Sequence, residues 1–102
     1  MNQWPPPPDL NSLKELFATE DVEGLIADGC PIDEYDPEAK HFYETTRGWP
    51  SESFTSEQTL PILTAIFAEQ FNEERAGRSP ALKQLAAEIE RFFGPAAQPQ
   101  TR

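Results

Sequence analysis

Residues 21–42 read DVEGLIADGCPIDEYDPEAKHF, and their punctuation decides the fold. Val22, Leu25 and Ile26 form a short apolar turn, with Thr19 or Asp21 placed to cap it as a short second helix. Gly29 then occupies the left-handed position that ends helices, and Pro31 prevents continuation. Asp36–Pro37 restarts the chain as a helix. The residue before a proline is driven to extended geometry, as an N-cap requires, and proline at the first helical position gives up a donor the helix would not use. Glu38 falls in that first turn, where the helix dipole favours negative charge. Tyr35 reads as a ring packed under the loop with its hydroxyl bonded at the edge.

Outward from this segment, helical spacing dominates. Asp9 caps a run with Leu10, Leu13, Leu16 and Phe17 on one face. The helix begun at Asp36 extends to about Thr46 with Phe42 and Tyr43 inward, and Gly48–Trp49–Pro50 ends it. Thr55 and Gln58 have the spacing of a capping box. Leu60, Leu63, Phe67 and Phe71 then line the most apolar helix, the expected centre of the fold, although Pro61 sits awkwardly within it. Ser79–Pro80 opens a last amphipathic helix through Leu82, Leu85, Ala86, Ile89, Phe92 and Phe93, stopped by Gly94–Pro95. Sustained period-2 alternation is missing, so the reading is all-α: a compact bundle of about five short-to-medium helices. Residues 9–94 form the single domain. Residues 1–8, a Pro-rich leader, and 95–102, a tail, are expected to be disordered; they account for part of the eleven prolines and the low apolar content of 37%.

The segment also carries the charge. Nine of the 18 acidic residues lie within 20–44 against Lys40 alone, so this stretch holds a formal −8 of the chain's −10. Binding to nucleic acid or to an anionic membrane needs a basic patch, and both are excluded as expectations. A basic protein partner is not. A single cysteine cannot form an internal disulfide and suits a reducing compartment. With no basic-plus-apolar leader and no run of about 20 apolar residues, the expected location is cytoplasmic.

Residues 21–39, DVEGLIADGCPIDEYDPEA, resemble the signature of the YugE-like family of small bacterial helical proteins of unknown function. The matching positions are Asp21, Gly24, Leu25, Gly29, Pro31, Asp33, Glu34, Tyr35, Asp36 and Ala39. The runs LPILTAIFAEQF and LAAEIERFF resemble the family's last two helices more loosely. Val22 stands where the family pattern has proline and Cys30 where it has alanine; Ile32 and the polar loop 45–55 are less typical. The resemblance implies an all-helical domain. It implies no activity, so it supplies no catalytic residues.

The residues themselves point away from catalysis. Cys30 and His41 are the chain's one cysteine and one histidine. A reactive thiolate–imidazole pair needs positive surroundings, whereas these are acidic; Cys30 reads as a small buried residue and His41 as an exposed one. Gly24 and Gly29 read as architecture, close helix approach and chain reversal respectively, since a phosphate there would face carboxylates. The chain is therefore expected to be no enzyme and to need no cofactor. The reading is a non-enzymatic protein-interaction module, of the immunity or antitoxin kind, that meets a basic partner through Glu23, Asp28, Asp33, Glu34 and Glu38, with Trp49 as an aromatic anchor. The alternative is a regulator binding a divalent metal through Asp28, Asp33, Asp36 and Glu38, although their spacing does not match an EF-hand. Monomer and homodimer stay open, the dimer using exposed apolar residues of the last helix such as Phe93.

Overall fold

The computed structural model describes residues 7–22, 24, 26–31, 33–71 and 80–96. Expectations that rest on the leader 1–6, on Glu23, Leu25 or Ile32, on the turn 72–79 and on the end of the tail fall outside these residues. Four α-helices are present among them: α1 Leu10–Glu20, α2 Asp36–Thr45, α3 Ser56–Phe71 and α4 Pro80–Phe93, with a single 3-10 turn at Ser51–Ser53. The all-α reading holds; the number of about five does not.

The helix that fails to form is the short one expected after residue 19. Asp21 ends α1 by adopting a left-handed conformation, φ 44 and ψ 57, with its N–H donating to the Phe17 carbonyl. Its carboxylate then accepts the N–H groups of Ile26 at 3.0 Å and Ala27 at 2.9 Å. In a helix those donors would be committed to carbonyls four residues back. Gly24, with φ 71, breaks the run a second time. The stretch closes instead as tight turns, Gly24 onto the Asp21 carbonyl and Gly29 onto that of Ile26.

The other elements follow their sequence signals with adjustments. Asp9 is extended and caps α1 by accepting from the Ser12 N–H at 3.0 Å and the Ser12 hydroxyl at 2.6 Å. In α2 the cap moves back one residue. The Tyr35 carbonyl takes the first helical bond, from Ala39, so Asp36 is already helical and Pro37 lies inside the first turn. Thr55 caps α3 through its hydroxyl, which accepts the Gln58 N–H at 3.2 Å. Pro61 lies within α3. It deprives the Glu57 carbonyl of a partner, but Pro61 and Glu57 are both exposed, so water can serve that acceptor.

The helices pack in a ring, α1 on α2, α2 on α3, α3 on α4 and α4 back on α1. Thus α3 is one wall among four and not a central rod. Its Phe67 ring lies 6.0 Å from Phe17 of α1 and 6.1 Å from Tyr35 at the start of α2, and Phe17 in turn meets Phe42 at 6.1 Å. This aromatic knot ties three helices. Leu82, Leu85, Ala86 and Ile89, all fully buried, complete the core from α4. Burying a leucine or isoleucine side chain contributes about 1.5–3 kcal/mol, and the Ala86 methyl less.

Gly94 closes the far end. A Cβ there would lie 2.6 Å from the Glu90 carbonyl oxygen and 2.7 Å from that of Phe54. The glycine that close approach requires is therefore Gly94, whereas Gly24 has open space around it and is needed for its left-handed backbone. That corrects the assignment of close approach to Gly24.

Candidate functional site

The acidic region is built around one carboxylate. Besides the two loop amides, Asp21 accepts the Tyr35 hydroxyl at 2.7 Å. Tyr35 is 1% exposed and its ring lies on Phe67, so this hydrogen bond clasps the loop to the core, beside the packing of Val22 and Ile26. This fits the expectation for Tyr35. The ordering role of Asp21 was hidden, because its partners lie five, six and fourteen residues away.

The remaining acids divide by direction. Asp28, Asp33 and Glu44 are exposed and Glu34 is half-buried. None of these four engages a cation among the described residues. Asp36 does not cap α2. Its carboxylate lies 3.6 Å from the Lys14 ammonium of α1, a half-exposed pair that joins the two helices. Such a pair contributes at most about 1 kcal/mol. Glu20 is half-buried near the end of α1; burial chiefly, and Glu88 of α4 secondarily, raise its pKa above the usual glutamate value.

Glu38 departs furthest from expectation. It is 4% exposed, so it cannot serve as a surface contact for a partner, and its Oε1 is buried without a hydrogen bond. Burial raises its pKa, against the lowering effect of its own N–H, and Glu34 adds repulsion. At this helix start desolvation outweighs the dipole. The signal was present in the spacing: position 38 follows Tyr35 by three residues and precedes Phe42 by four, which places it on the inward face.

The metal alternative finds no geometry. Among the described residues no three His, Cys, Asp or Glu side chains converge to hold an ion. Asp28 and Asp33 face solvent, Asp36 faces Lys14 and Glu38 is buried. Cys30 is half-buried, less enclosed than expected, and His41 is exposed on α2.

Trp49 resolves as a half-buried ring packed on Phe54 at 5.6 Å, part plug and part surface. Nearby, the Arg47 guanidinium lies 5.8 Å from the half-buried Tyr43 ring. Phe93 is 9% exposed and buried in the core, so it does not provide the apolar dimer contact expected of it. No described helix is long and apolar enough to cross a membrane. Comparison with protein-family profiles, with curated proteins and with solved structures gives no match.

Proposed function

We propose that this chain is a non-enzymatic protein-interaction module, of the immunity or antitoxin kind and of YugE-like type, whose acidic segment binds a basic protein partner. The supporting observation is the uncompensated charge of Asp28, Asp33, Glu34 and Glu44 on a segment held to the core through Asp21 and Tyr35. Folding uses Asp21 as a hydrogen-bond acceptor and Asp36 in an ion pair. It makes no such use of the outward acids. Fixed surface charge of one sign speeds association with an oppositely charged surface and rejects like-charged partners. Trp49 supplies an aromatic contact just after α2, and Glu23 adds a further acid to the segment in sequence. Glu38 leaves the contact set because it is buried.

Affinity capture from the native host, followed by titration of the captured protein at several salt concentrations, tests this reading. A tight, salt-sensitive complex with one basic protein, weakened at least tenfold by Asp33→Lys with Glu34→Lys, is expected. Equal, weak binding to all basic proteins would refute it.

A further inference from the structure

Glu38 shares the inward face of α2 with Tyr35, Ala39, Phe42 and Thr46, all buried. The intervals of three, four, seven and eleven residues are those of a core-facing stripe, and the carboxyl occupies a position that would ordinarily be apolar. Its Oε1 is closed off from solvent and accepts no hydrogen bond. No charge of opposite sign answers it from the elements packed on α2. On α1, Lys14 is drawn to Asp36 at the half-exposed edge. On α3, the inward residues Thr59, Leu63, Ile66 and Phe67 are uncharged, and Glu57 and Glu69 are exposed. From the preceding loop Glu34 adds a further acid. Lys40, His41 and Glu44 of α2 itself are exposed.

We propose that Glu38 is a proton-operated latch on the acidic corner: neutral, it lets the first turn of α2 seat against α1 and α3, and ionised, it loosens that turn together with the Tyr35–Asp21 clasp. Ionised, the Glu38 carboxylate would keep one oxygen, Oε1, with neither water nor a donor, and no counter-charge faces it from α1 or α3. The nearest relief is local opening at the helix start, where Ala39 donates the first helical bond, to the Tyr35 carbonyl at 3.0 Å. The direction of the Glu38 pKa agrees with this, raised chiefly by burial and further by Glu34. A group whose pKa is higher in the closed state than in the open state favours closure at low pH. The penalty develops as pH rises from the ordinary value of 4.5 through the raised one. The latch concerns the inner side of the segment and is independent of any partner on its outer side.

Amide hydrogen exchange on the full chain between about pH 4 and about pH 7, corrected for intrinsic exchange, tests the latch. The opening constant at Ala39 is expected to rise with pH, by at most about tenfold per unit for one proton, and to stay well above that at Ile89 in α4, which exchanges only through wider unfolding. Glu38→Gln should abolish the rise, and Glu34→Gln should reduce it. Carbon-13 titration of the unsubstituted protein should place the Glu38 carboxyl above 4.5. Level protection at Ala39, an opening constant at Ala39 no larger than that at Ile89, the same rise in Glu38→Gln, or a Glu38 carboxyl titrating at or below 4.5 would each overturn the latch. The carbon-13 reading needs no variant, so a Glu38 carboxyl titrating at or below 4.5 overturns the latch even if Glu38→Gln does not fold.

Discussion

The starts of α2 and α3 pose the same problem and solve it differently. Each opens after an irregular stretch and each has a glutamate near its first turn. At α3, Thr55 accepts the Gln58 N–H and Glu90, reaching from α4, accepts the Ser56 N–H at 2.7 Å. A charged acceptor meets free helix donors, and two helices are tied together at one point. At α2 no side chain caps the helix, and Glu38 turns inward with one oxygen unpartnered. The same residue type is thus a structural tie in one corner and a source of tension in the other. What separates them is the presence of donors, since a buried carboxylate is tolerated in proportion to the hydrogen bonds it receives.

This contrast can be broken from either end. Gly94→Ala carries the largest expected effect. Its new methyl would meet two backbone oxygens that cannot move aside, and a loss of about 3 kcal/mol is expected, read from urea unfolding. A variant as stable as the parent would show that the α3–α4 corner is looser than its geometry. Asp21→Ala follows, with a loss of about 2 kcal/mol, because three donors lose their acceptor and two of them, the Ile26 N–H and the Tyr35 hydroxyl, are partly enclosed. Its mark should be faster exchange at Ile26 and Ala27. Glu90→Ala removes a cap and should cost about 1 kcal/mol, with the loss of protection concentrated at Ser56. Tyr35→Phe keeps the buried ring and loses only the clasp, for a similar or smaller loss of about 0.5–1 kcal/mol.

The pH dependence of overall stability sharpens the contrast further. Glu38 and Glu20 both have raised pKa values, so each lowers stability at neutral pH, and each penalty is lifted as pH falls through the raised value toward 4.5. Asp9 works in the opposite sense. Its pKa is lowered chiefly by the Ser12 hydroxyl, so its contribution is complete above 3.8 and is lost as pH falls through the folded value. Thermal melts should therefore show the protein more stable in mild acid than at pH 7, with a decline in stronger acid. A maximum at or above neutral pH would contradict the tension assigned to the α2 corner.

Local signals were the legible ones. The Asp9 cap, the inward run of Leu13 and Phe17, and the α4 stripe through Leu82, Leu85, Ala86 and Ile89 all depend on neighbours within about two helical turns. The outward acids Asp28 and Asp33 were legible too, because charged residues in a Gly- and Pro-bearing loop face water. The interior placement of Glu38 was overlooked because a glutamate at a helix start normally serves the dipole, although its register with Tyr35 and Phe42 pointed inward. The expected second helix failed on Asp21, a residue type that caps helices and also tolerates left-handed geometry.

What the amino-acid order alone determined is the all-α class, the positions of the long helices and the concentration of negative charge within 20–44. Those properties follow from periodicity, from capping chemistry and from composition, each of which acts over a few residues. Tertiary structure decided which acids face outward, which glycine is needed for space, and which carboxylate finds donors. Glu90 and Ser56 are 34 residues apart and Asp21 and Tyr35 are 14 apart. Such partners become neighbours only when the ring of helices closes, so the difference between a carboxylate held by distant donors and one left with an unpartnered buried oxygen exists only in the folded chain.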